Sequence, residues 1–177
     1  LLNSSFLFSI VLCLLCFFAA SSTHAKKASL AEISSYLEQH KVLTAKFVQI
    51  SYDGSRADGK IFLKRPGRLR FEYQDPNNII VLVAEKRITI FDYKSNSQPT
   101  SYPVSNSPLS LFLNDEIDFT KNSMVLDHSY DGSLTRVTLN NPEHREFGQI
   151  TLMFEQDPLR LSQWQVTNQV GEQILVL

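Results

Sequence analysis

Four histidines and eighteen carboxylates are the obvious candidates for acid–base or metal chemistry in this 177-residue chain. Their spacing does not assemble a site. His40, His128 and His144 stand far apart, none at metal-ligand distance in sequence from another. Asp127-His128-Ser129 comes nearest to a hydrolytic cluster. In a strand, however, successive side chains face opposite sides, so Asp127 cannot orient His128 as a triad needs. Asp115, Glu116 and Asp118 read as a solvated acidic loop. No Gly-rich phosphate loop, G-x-S-x-G elbow or H-E-x-x-H motif occurs. Neither an enzyme nor a bound metal or cofactor is expected.

One charged residue stands out by register instead. Residues 61–73 read "IFLKRPGRLRFEY", two strands around a Pro-Gly turn. Alternation puts Ile61, Leu63, Arg65, Leu69, Phe71 and Tyr73 on one face, opposite Phe62, Lys64, Arg68, Arg70 and Glu72. Arg65 thus carries five donors onto an otherwise apolar face. It either snorkels to solvent from beside the turn or finds carbonyl partners inside.

The elements that position it follow from local patterning. Residues 1–25 contain no Asp, Glu, Lys or Arg, and an apolar run over 6–20 precedes "THA". This predicts a secretory signal peptide over 1–25 and a single domain over 26–177. Cys13 and Cys16 both lie in that leader, so the domain holds itself by packing alone. "SLAEISSYLEQH" opens with a Ser29/Glu32 capping box and predicts a helix. Strands are predicted at 43–52, 59–65, 68–74, 79–84 and 87–93, with "SYPV" extended and a tight turn at Glu85-Lys86. Ser107 and Pro108 start a short helix over 107–113, and strands resume at 124–130, 134–140, 147–156 and 160–168. The run "GEQILVL" stops amid apolar residues, so the C-terminal end is expected to be cut short. About nine antiparallel strands with two helical segments imply one large curled sheet. Net charge is −1 with the signs interspersed, which predicts no basic stripe for nucleic acid or an anionic membrane.

Apolar surface is in excess: both faces of "IIVLVA" are apolar, and large rings recur at Phe47, Phe71, Tyr73, Phe91, Phe112 and Phe119. Composition alone favours an ordinary sandwich core. The alternative is a curved sheet enclosing an apolar cavity closed by the helices, with Arg65 among its few polar groups.

"FVQ" (47–49), "GKIFLKRPGRLRFEYQDP" (59–76), "IIVLVAEKRITIFDY" and "NSPLSLFL" resemble, in order and spacing, the LolA family of periplasmic carriers of outer-membrane lipoproteins. The resemblance is strongest to about Leu113. It implies a mainly β fold, an unclosed antiparallel barrel of nine to eleven strands with a helical lid over an apolar cavity. Lipoprotein acyl chains would occupy that cavity, lined by Phe47, Leu63, Leu69, Phe71, Tyr73, Phe91, Leu109 and Phe112. The implied partners are the inner-membrane ABC transporter LolCDE and the outer-membrane acceptor LolB, with a monomeric periplasmic carrier and no nucleic acid. The arginine before the motif's proline, here Arg65, is implied to bond lid backbone and hold the lid shut. Three departures stand against this. Leu69 replaces a frequent aromatic, Glu85-Lys86 replaces an Asp-Gly turn and implies another turn type, and the closing C-terminal strand is expected to be missing. Lys26, where a lipid-anchored LolB-like acceptor would carry cysteine, points to the soluble carrier. An envelope-sensing module on the same fold, or an envelope lipid hydrolase, are the rival readings.

Overall fold

The computed structural model describes residues 26–177 apart from Asn96 and Asn122; the expected leader, with Cys13 and Cys16, lies outside the described residues. Helix α1 (Leu30–Gln39) begins where expected, with the Ser29 hydroxyl accepting from Glu32 N and the Glu32 carboxylate accepting from Ser29 N at 2.7 Å. Ile33, Ser34 and Leu37 form its buried face. Among the described residues no helix is long and apolar enough to cross a membrane.

After α1 the apolar period switches to two, and the chain makes strands. They are β1 (Val42–Ile50), β2 (Arg56–Lys64), β3 (Arg68–Tyr73), β4 (Ile79–Ala84), β5 (Arg87–Asp92) and β6 (Thr100–Pro103). Helix α2 (Leu109–Phe112) interrupts them. Then come β7 (Val125–Tyr130), β8 (Thr135–Asn140), β9 (Gln149–Glu155), β10 (Arg160–Thr167) and β11 (Gln173–Val176). All eleven belong to one antiparallel sheet in the order β6-β5-β4-β3-β2-β1-β11-β10-β9-β8-β7. The sheet is mainly two meanders joined through β11, and it stays unclosed, with β6 and β7 as free edges. "GEQILVL" therefore supplies an interior strand, with Val176 opposite both Gln49 and Trp164.

The β2–β3 hairpin has the register that alternation predicted, Ile61 opposite Phe71 and Leu63 opposite Leu69. All four are buried. Gly59 lies between Phe47 and Tyr73 in register. A Cβ there would stand 2.5 Å from the Phe47 ring and about as close to the Glu72 carbonyl, so only glycine lets that ring lie flat over β2. At the β4–β5 turn Glu85 and Lys86 take φ of 50° and 61°. Two successive positive φ angles are the geometry that Asn-Gly and Asp-Gly favour, so the substitution does not change the turn type in the way the sequence implied.

Folding also overturns the expectation of no basic stripe. The even residues of β2 and β3 share the outer face with Lys46 of β1 and Arg87 of β5, through the pairs Lys46–Lys60 and Lys64–Arg68 and the row that continues along Ala84 and Arg87. Cations interleaved with apolar residues in the sequence are thereby sorted onto one side of the sheet.

Candidate functional site

Arg65 leaves the end of β2 with its side chain wholly inside the protein, 0% exposed. Its backbone N donates to Lys41 O at 2.8 Å. Nη2 donates to Leu37 O in the last turn of α1, while Nη1 stands 3.5 Å from both Asn114 O and Glu38 Oε1. The last carbonyls of a helix lack intrahelical partners and form its negative end. Helix α1 has no basic residue of its own in that turn, so Arg65 provides the cation from across the sheet. Nε has no hydrogen-bond partner among the described residues. Burial lowers the guanidinium pKa and Glu38 opposes this; the group stays charged at any physiological pH.

Helix α2 is held at its C-terminal side by the same hairpin. Gly67 N donates to Leu113 O at 2.9 Å, next to the Asn114 carbonyl that faces Arg65. Glu38 ties in the segment that follows: its Oε1 accepts from Ile117 N at 2.9 Å, and Oε2 lies 3.1 Å from Lys41 Nζ. Lys41 Nζ also reaches Asp115 Oδ1 at 3.4 Å. Burial alone would raise the Glu38 pKa, but Ile117 N, Lys41 and Arg65 outweigh it and hold the carboxyl below its ordinary value. Ser34 Oγ accepts from Phe119 N at 2.9 Å, a further tie between α1 and this segment. The acidic cluster is thus partly used, Asp115 by Lys41 and Asp118 by Lys121 at 2.9 Å.

Beneath this polar belt lies an aromatic layer. Phe47 meets Phe71 and Tyr73 edge-on, both with ring centroids 5.2 Å away. Trp164 of β10 links Phe71 at 6.2 Å to Phe112 of α2 at 6.0 Å. Leu63, Leu69, Phe71, Phe112 and Trp164 share one buried cluster, with Leu109 and Tyr73 partly buried against it. The Tyr73 hydroxyl donates to Gln49 Oε1 at 2.6 Å, and burial pushes its pKa up to about 12.

Two placements differ from the sequence reading. Phe91 pairs with Ile80, in the row of Glu72 and Lys60, and stacks on the exposed Tyr93. It is on the outer face, because Ile88 and Ile90 are the β5 residues in line with Val83 and Val81 of the core. Trp164 is the functional candidate that alternation missed. The β9–β10 register slips between Leu161 and Gln163, so Leu161 and Trp164, of opposite parity, both join the core.

A cavity of about 770 Å³ opens where α2 ends, walled by Pro66, Gly67, Leu111, Leu113 and Asn114, with Val104 and Met124 from the segments beside the two free edges. This is a usual size for small-molecule sites. A second space of about 380 Å³ lies between β1 and β10, where Leu43, Phe47, Ile61 and Trp164 meet Tyr36 of α1. The Asp127–Ser129 pair bonds at 2.7 Å, while His128 turns away to Ala28 O at 2.8 Å, so the three do not form a hydrolytic relay.

The chain is similar to known proteins. The family model "Outer membrane lipoprotein carrier protein LolA" matches residues 38–177. The outer-membrane lipoprotein carrier protein of Coxiella burnetii is 24% identical over 157 residues, covering 84% of this chain and 74% of that protein. That of Pseudomonas entomophila is 23% identical over 168 residues, covering 89% and 79%. A solved LolA superfamily protein from Nitrosomonas europaea is 10% identical with a TM-score of 0.44, covering 83% of this chain and 88% of its own. This chain belongs to the LolA family of outer-membrane lipoprotein carriers.

Proposed function

We propose that the protein is a non-enzymatic periplasmic carrier that holds lipoprotein acyl chains in its apolar interior beneath α2. It takes them from the inner-membrane transporter LolCDE and delivers them to the outer-membrane acceptor LolB. One observation carries this reading: a fully buried arginine bonded to carbonyls of α1 and of the segment leaving α2, at the end of the strand whose Ile61 and Leu63 join the buried cluster. In this arrangement the lid's own Leu111 and Phe112 fill the interior, and cargo enters by displacing them. Displacement breaks the Arg65 bonds, each contributing about 1.5–3 kcal/mol. Arg65 is therefore the latch, and its bonds lower cargo affinity because affinity is set by the difference between the two lid positions. A carrier that must give up its load needs that opposition. Leu63, Leu69, Phe71, Tyr73, Leu109 and Phe112, with Phe47, supply the acyl surface; Phe91, on the outer face, does not.

The test is a relay in vitro that scores lipoprotein loaded onto the carrier and lipoprotein passed to an outer-membrane acceptor. Arg65→Leu should bind acyl chains about tenfold tighter or more, at 1.4 kcal/mol per tenfold, and should fail in transfer. Arg65→Lys should be intermediate, since an ammonium keeps the charge but not the planar fork. Equal loading and unloading by Arg65→Leu and the parent would sink the latch.

A further inference from the structure

The outer face of β1–β5, turned away from α2, carries an excess of positive charge. Lys46, Lys60, Lys64, Arg68 and Arg87 are all exposed, and none forms an ion pair among the described residues. Phe62 stands among them, 37% exposed. Lys60 and Lys64 are its same-face neighbours along β2, and Thr44 and Arg70 flank it across the ladder. Strands about 4.8 Å apart and same-face residues about 7 Å apart put Lys46, Lys60, Lys64, Arg68 and Arg70 within roughly 10 Å of the ring, with Arg87 about 16 Å away. Two carboxylates share this face, Glu72 and Asp58, and each is taken by an arginine, Arg70 at 2.6 Å and Arg56 at 2.8 Å. Charge is also divided along the chain: residues 26–94 hold 13 Lys and Arg against 8 Asp and Glu, and residues 95–177 hold 4 against 10.

We propose that this outer face of β1–β5 docks on a membrane surface rich in anionic phospholipid. Its cations are long, unpaired and spread over a sheet face, with no built pocket. That suits a diffuse, fluid layer of phosphates, which needs no fixed partner geometry. A protein partner would instead meet a packed pocket with a buried anchor. The exposed ring amid the cations has the amphipathic pattern of groups that enter the headgroup boundary. Docking this way turns the lid and its cavity away from the bilayer plane, leaving them free while the protein is held near it. The proposal rests on surface charge and not on the carrier reading.

The experiment is co-sedimentation of residues 26–177 with vesicles of phosphatidylethanolamine and phosphatidylglycerol, against vesicles of phosphatidylcholine alone. Binding is expected only to the anionic vesicles, and should vanish between about 0.1 M and 1 M salt as the screening length falls from about 10 to 3 Å. Each cation near such a surface accounts for about fivefold in partitioning, so Lys60→Glu with Lys64→Glu should lower it about 25-fold or more. Lys121→Glu with Arg145→Glu changes net charge equally on the other half of the chain and should bind like the parent. Fatty-acid displacement measured on the same variants should be unchanged, which separates this proposal from the carrier reading. Equal binding to both vesicle types, absence of binding to either, or equal losses in both double variants would overturn it.

Discussion

At the scale of single residues, the proposed latch has a second half that the arginine alone does not reveal. Glu38 faces Arg65, Lys41 and Ile117 N together, so it couples the end of α1 to the segment leaving the lid. Trp164 is the chain's one tryptophan and lies beside Phe112 of α2, which makes it a natural reporter of lid position. Glu38→Gln should increase acrylamide quenching of Trp164 at neutral pH by loosening the lid. The pH dependence has a definite sign. The Glu38 pKa is lowered on folding, so its contribution is complete above the ordinary value of 4.5 and is lost as pH falls through the lower folded value. Parent and variant should therefore converge in acid; a difference that persists there would mean Glu38 does not act through its charge. Tyr73 gives the opposite case. Its folded pKa is raised to about 12, so its stabilising effect is present below the ordinary value of 10.0 and lost as pH rises to about 12. Ultraviolet titration should show one phenolate forming near 12 that is missing from Tyr73→Phe.

At the scale of elements, Gly59 decides how β1, β2 and β3 fit together. Gly59→Ala forces a methyl into the Phe47 ring and the Glu72 carbonyl, and the carbonyl belongs to a ladder that cannot shift alone. Overpacking of this kind costs about 1–3 kcal/mol, which a urea midpoint would register. A midpoint unchanged from the parent would mean that Phe47 can leave β2 freely. The same three strands show what the sequence makes legible. The β2–β3 face was readable because strict alternation flanks a Pro-Gly turn, and the helix α1 start because Ser29 and Glu32 sit three apart. Phe91 was not, because both faces of "IIVLVA" are apolar and give no parity for the strand beside it. Trp164 was hidden by the bulge at Leu161–Gln163, which reverses parity in mid-strand. The partners of Arg65 lie 28 and 49 positions away in sequence, beyond any local pattern.

At the scale of the whole molecule, the fold protects what it leaves open. The sheet ends at β6 and β7, and open edges invite pairing with other chains. β6 is only four residues long and ends in Pro103, which has no N–H to offer. β7 carries a register break between Val125 and Asp127, and Lys27 Nζ donates to His128 O at 2.6 Å. Both edges are blunted by short length, irregularity or a covering charge. The sorting of cations onto one face is likewise a property of the whole sheet: alternation within each strand becomes a field only when five strands align.

The place of β11 sets the order in which the molecule can be completed. The hairpins of each meander join neighbours in sequence, yet the two halves meet where Val48 and Leu177 exchange backbone bonds, 129 positions apart. Until residues 173–177 arrive, a growing polypeptide holds two unjoined sheets, with one side of β1 and one side of β10 unpaired. Contacts so distant form late and slowly, because a long loop must close first. The two meanders are thus hinged on one short strand, and residues 173–177 act as the fastener between them.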